Sequence, residues 1–162
     1  MSTRWLLVAI AAGVFIAPGW AGEFGSGNEA AALVKRVQIK FASDGPAATF
    51  AAITDKAPDF VDKDLYVFVY DLNGTLVAHG GNPALVGENR RDLKDANGKP
   101  VVSEMIDVVV RSGRGSVDYS WPNPVSVDDM SSYVERLGDK FIVGVPSFRS
   151  DKLRPVQAQN ER

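Results

Sequence analysis

The chain has no cysteine and a single histidine, His79, in 162 residues. The missing cysteine excludes a disulfide framework, a cysteine nucleophile and a thiolate metal site. The fold must therefore hold by core packing alone. Long basic runs are missing too, and the formal net charge is −2. Binding nucleic acid needs clustered Lys and Arg against the phosphates, so nucleic acid is excluded as a partner. No serine sits in the glycine pattern of a nucleophile elbow. Gly80–Gly81 and Gly113–Arg114–Gly115 lack the Lys–Ser/Thr ending of a phosphate loop. The Asp/Asn/Gly stretch at 92–98 does not continue to the Glu of a calcium loop, and Asp128–Asp129 has no companion ligand at a recognised spacing. A lone histidine without an activated nucleophile does not make a triad. The sequence therefore points to no enzyme, no metal and no cofactor.

Long apolar runs are almost absent as well. The one exception is WLLVAIAAGVFIAP, which follows MSTR at the N-terminus. It is short for a bilayer span, which needs roughly 20 residues. Gly19–Trp20–Ala21 places small residues suitably for cleavage after Ala21. The expectation is a signal peptide over residues 1–21 and a periplasmic or secreted protein. The alternative is an uncleaved anchor in the inner membrane. Hydrophobic residues make up 45% of the chain and charged residues 23%, as in a globular domain with a real core. One domain over residues 23–150 and a polar tail over 151–162 are expected.

Within that domain, Ser26 and Glu29 stand at capping-box spacing. Ala30, Leu33, Val34, Val37 and Phe41 then recur on one helical face. Gly45–Pro46 stops this helix, and Pro46 opens a short second one. The stretch DLYVFVYDLNGTLVAH predicts a hairpin. A two-residue Asn–Gly loop would set Phe68 opposite His79. A three-residue loop with Gly74 left-handed would set Val67 opposite His79. The longer loop is favoured, because Asp71 can accept a hydrogen bond from the Asn73 backbone.

A long, turn-rich connection follows, GGNPALVGENRRDLKDANGKP, of a length that is often functional. Pro100 then starts a helix with Val101, Val102, Met105, Ile106 and Val109 on one face, ended by Ser112–Gly113. GSVDYSW, SYVERL and KFIVGV read as three strands, with Asn123–Pro124 ending the first. Consecutive strands flanked by helices predict an α+β fold with one antiparallel sheet.

Two features could carry function. Arg90–Arg91 is either a solvated pair or a clamp whose guanidinium fork matches a carboxylate. Tyr119, Trp121 and Tyr133 either fill a core or line a pocket, since each has a polar handle that needs a partner when buried. Spacing alone leaves both readings open.

The motifs DLYVFVYDLNGTLVAHGGNPALVGEN, DANGKPVVSEMI, VDYSWPNP and SSYVERL occur in that order. In this combination the chain resembles the single-Cache family of extracytoplasmic small-molecule sensor domains, from about Asn28 to Val145. The resemblance implies a PAS-like antiparallel sheet of about five strands with a long N-terminal helix packed on it. It also implies a ligand pocket between the sheet and the long connection with its helix. His79, Met105, Tyr119, Trp121 and Tyr133 are the expected ligand-binding residues.

The chain departs from the family pattern at three places. Ser120 stands where an Arg is common, Met130 where a Lys is common, and Pro146 where an aromatic is common. Losing both cations predicts a neutral ligand, a larger apolar one or no ligand in place of a carboxylate, unless His79 or Arg90–Arg91 supplies the charge. The implied function is a periplasmic sensor of the kind that serves chemotaxis and signal transduction. It would be free-standing and relay occupancy to a separate membrane receptor or kinase. The alternative is a structural accessory protein with a ligand-free core.

Overall fold

A computed structural model describes residues 24–122 and 126–149 of the chain. The expected signal peptide, the polar tail and the Asn123–Pro124 turn lie outside the described residues. Helix α1 (Gly27–Thr54) opens on the expected capping box: the Glu29 N–H donates to Ser26 Oγ at 3.3 Å, and the Ser26 N–H donates to Glu29 Oε2 at 2.7 Å. Ala30, Leu33, Val34 and Val37 are fully buried along one stripe. Burying side chains of the Leu and Val kind stabilises the fold by about 1.5–3 kcal/mol each.

The expected stop at Gly45–Pro46 is observed as a non-helical break that divides α1 into two helical arms. Gly45 takes φ of 78°, a left-handed value that suits glycine, and the helix resumes at Pro46. The Thr49 hydroxyl donates to the Gly45 carbonyl at 2.8 Å. Phe41 before the kink and Phe50 after it both pack on Phe141, with ring centroids 6.2 and 5.0 Å away. That aromatic cluster holds the two arms together across the break.

After α1, a small ribbon pairs β1 (Val61–Asp62) with β2 (Leu65–Tyr66). The main sheet contains β3 (Phe68–Asp71), β4 (Leu76–His79), β5 (Arg114–Pro122), β6 (Val127–Leu137) and β7 (Phe141–Phe148). Its order is β4-β3-β7-β6-β5, and every pairing is antiparallel. β7 lies at the centre, and Ile142 through Ser147 are all buried, as a strand covered on both faces requires. One face of the sheet packs on α1 through Val67, Val69, Val143 and Val145. The other packs on α2 (Val101–Ser112) through Phe68, Tyr70, Val117, Val134 and Ile142. The face of α2 predicted from sequence is the buried one, and Gly113 closes the helix at φ of 75°. The α+β, PAS-like architecture expected from the sequence is the observed fold.

The β3–β4 hairpin departs from expectation in an instructive way. Its loop is the favoured three-residue form: the Asp71 N–H donates to the Thr75 carbonyl and the Gly74 N–H to the Asp71 carbonyl. Asp71 Oδ1 accepts the Asn73 N–H at 2.9 Å, as anticipated. Yet Phe68, not Val67, stands opposite His79. Val77 is a β-bulge: Tyr70 pairs with Leu76, but Val69 pairs with Ala78. One extra residue inverts the alternation beyond it. Leu76 belongs to the α2 side, and Val77 and Ala78 both pack towards α1. His79 therefore swings back to the α2 side.

Candidate ligand site

Between the α2 face of the sheet and the long connection lies a cavity of about 440 Å³. Strand alternation builds one wall. Tyr66, Phe68 and Tyr70 project to the same side at two-residue spacing, and Tyr119 and Trp121 do so from β5. Helix α2 supplies Val101, Val102 and Met105, and the connection supplies Asn82, Leu85, Arg90 and Leu93. Met130 and Pro146 complete the lining from β6 and β7. Gly144 makes room for this wall, since a Cβ there would lie 2.3 Å from the Phe68 ring. The result is a partly open apolar cavity edged with a few hydrogen-bonding groups, the usual build of a small-molecule site.

The polar groups have defined states. His79 Nδ1 accepts the Asn82 N–H at 2.7 Å, which puts the imidazole proton on Nε2. Burial, with Arg90 nearby, pushes its pKa down to about 4, so the ring is a neutral donor near pH 7. Tyr66 lies against it, ring centroids 5.0 Å apart. Burial raises the Tyr66 and Tyr119 phenols and pushes Tyr70 up to about 12, so all three keep their protons. The Tyr119 hydroxyl is bonded to Ser132 Oγ at 2.9 Å, which fixes the ring on the wall.

The connection is tied down at its middle and again towards Pro100. Asn89 forms a bridge with Thr75, and the Arg90 N–H donates to the Gly74 carbonyl at 2.8 Å. Towards Pro100 the Asp95 carboxylate accepts the N–H groups of Asn97, Lys99 and Ser120 at 2.8, 2.9 and 3.0 Å. These bonds, led by the one from Ser120, hold its pKa below the usual carboxylate value. They anchor the connection to β5 beside Trp121. Among the described residues no three His, Asp or Glu side chains converge as metal ligands would.

Four of the five expected ligand residues, His79, Met105, Tyr119 and Trp121, are brought together around the cavity. Tyr133 is not. It packs on the α1 side of the sheet and donates its hydroxyl to Glu135, which also accepts from Gln38 of α1. Met130, Ser132 and Val134 alternate with it on the other face. The Arg90–Arg91 pair divides: Arg90 lines the cavity, while Arg91 donates to the Leu72 carbonyl at 2.9 Å. Ser120 also points away from the cavity. Its Oγ donates to Asp129 at 3.2 Å and accepts from Asn97 at 3.0 Å. A change there cannot alter the charge of the wall directly, whereas Met130 is part of it. The sequence reading passed over Tyr66, Phe68 and Tyr70 as site residues, although LYVFVY alternates aromatic with aliphatic residues and so announces two different faces.

Fold and cavity together define a PAS-like domain with a partly open cavity on the α2 face of its sheet. The chain belongs to the single Cache domain 2 family, which it matches over residues 29–140. Domains of this family are extracytoplasmic ligand sensors. The chain is 30% identical over 137 residues to the sensor histidine kinase MctS of Rhizobium johnstonii, covering 82% of this chain and 29% of the kinase. It is 29% identical over 76 residues to the methyl-accepting chemotaxis protein McpP of Pseudomonas putida, covering 46% of this chain and 14% of that receptor. The chain thus spans well under half of either relative. Among solved structures, a periplasmic sensor domain of a chemotaxis protein superposes with a TM-score of 0.57 at 28% identity, over 75% of this chain and 88% of that one. A Cache chemosensory domain described for carboxylic acid recognition gives 0.57 at 25% identity, over 75% and 86%. Among the described residues no helix is long and apolar enough to cross a membrane.

Proposed function

We propose that the cavity is the sensory site, and that the protein binds a small metabolite there as a non-catalytic, periplasmic signalling module. Occupancy would pass to a membrane receptor or kinase of the kind its relatives represent. The observation that carries this reading is the cavity itself: about 440 Å³, walled by aromatic and aliphatic side chains, with His79 and three tyrosines at its edge. A cavity of that size favours a ligand sensor over an accessory protein with a collapsed core.

We further propose an uncharged ligand over a carboxylate. Met130 presents a thioether to the cavity, and His79 stays neutral there. A buried carboxylate loses its hydration, and Arg90, the one cation that lines the cavity among the described residues, already has its charge balanced by Glu88. A thermal-shift screen against organic acids, amino acids and neutral metabolites tests both statements. A ligand at ~100 times its dissociation constant adds about 2.7 kcal/mol of stability. Stabilisation by a neutral compound is expected, and its loss in Trp121→Ala would assign it to this cavity. Tight binding of an acid would refute the neutral-ligand proposal while keeping the sensory one.

A further inference from the structure

Among the described residues, Arg90 is the one Lys or Arg that lines the cavity, and it does not face it alone. Its Nε and Nη2 both lie 2.9 Å from Glu88 Oε2. Residues two apart on an extended segment share a side, and this segment is fixed in that form along β4. The Gly87 N–H donates to the Leu76 carbonyl at 2.8 Å, and the Leu76 N–H donates to the Glu88 carbonyl at 2.9 Å. The Arg90 side chain is 22% exposed and that of Glu88 51%. The cation is therefore the inner partner and the carboxylate the outer one, at the rim. An entering carboxylate would meet a guanidinium whose charge Glu88 already balances through Nε and Nη2, and would have to bind its remaining N–H groups beside that negative charge. An uncharged ligand meets neither obstacle, and can take hydrogen bonds from His79 and the tyrosines.

We propose that Glu88 is the residue that sets the ligand class: by holding Arg90 it keeps the cavity electrically neutral and selects uncharged, oxygen-bearing ligands over carboxylates. This rests on the cavity being the ligand site. Glu88 acts through Arg90 and is a specificity-determining residue at the rim, not a member of the apolar wall.

The test is calorimetry at pH 7 with two isosteric pairs, propionate with propionamide and benzoate with benzamide, on the wild type, Glu88→Gln, and Glu88→Gln with Arg90→Gln. The wild type should favour the amide of each pair. Glu88→Gln should raise acid affinity relative to amide by about fivefold, the factor set by one well-formed surface ion pair. Adding Arg90→Gln should abolish that gain. A merely structural role for Glu88 would move acid and amide together. Preference for the acid in the wild type, or an unchanged ratio in Glu88→Gln, overturns the inference while leaving the ligand site standing. If no probe binds any of the proteins, the reading of the cavity falls, and this inference with it.

Discussion

The hydrogen bond between Tyr119 and Ser132 joins the cavity wall to the middle of the sheet, and its removal can be treated quantitatively. Ser132 has no solvent exposure, and its Oγ lies 2.9 Å from the Tyr119 hydroxyl. Tyr119→Phe takes away that partner and leaves a buried hydroxyl unsatisfied, at a cost of about 1–3 kcal/mol. Ser132→Ala strands the other end, but the Tyr119 hydroxyl stands on a cavity that water can enter. The second change should therefore cost less, about 0.5–1.5 kcal/mol. With both substitutions neither polar group remains to be satisfied, so the double variant should be more stable than the sum of the singles predicts by about 1 kcal/mol. In a domain of this size that corresponds to roughly 4 °C in Tm. Urea unfolding of the four proteins measures the cycle. Additivity within about 0.3 kcal/mol would show that the two hydroxyls do not depend on each other, and would refute the argument.

Three further outcomes are expected. Met130→Lys should confer carboxylate binding, because an ammonium about 4 Å from a carboxylate gains several kcal/mol at an effective dielectric constant near 20, before desolvation is subtracted. Adding Ser120→Arg should contribute little, since that position faces away; calorimetry with propionate on the single and double variants separates the two. His79 has a folded pKa of about 4 against an ordinary value of 6.5. The unfolded chain thus binds its proton first, so the stability linked to His79 is full above about pH 6.5 and is lost as pH falls towards 4. Melting temperatures between pH 7 and 5 should decline in the wild type and flatten in His79→Gln. Val37→Asp would place an unpaired charge between α1 and the sheet, where Val37 is fully buried. It should cost several kcal/mol, of the order of the whole stability, and chemical denaturation should find the variant largely unfolded.

Much of the fold was legible because it is written in local periodicity. The stripe Ala30, Leu33, Val34, Val37 can bury only one side of a helix, and α1 buries that side. Val101, Val102, Met105, Ile106 and Val109 do the same for α2. Capping at Ser26, the left-handed turn at Gly74 and the Asp71 acceptor were likewise visible, since each depends on residues within a few positions. Position 120 was expected to bear on the charge of the pocket, and the structure corrects this: alternation with Tyr119 and Trp121 turns Ser120 to the opposite face, bonded to Asp129 and Asn97.

What remained hidden was the face of each strand where the pattern is mixed or the count of residues is disturbed. In SSYVERL both alternating sets contain apolar and polar side chains, so nothing local assigns Tyr133. Pairing with β5 and β7 turns it to α1 and turns Met130 to the cavity. His79 depended on the bulge at Val77, a single inserted residue that the loop sequence does not reveal. Arg90 reached the cavity, and Arg91 did not, because the connection docks along β4 through backbone hydrogen bonds. The sequence by itself determined which elements form and which residues each must bury. Only the tertiary structure decided which polar groups meet around the cavity. The physical reason is that a side chain's face changes sign with one residue of register, and register is settled by long-range pairing energies that no local stretch contains.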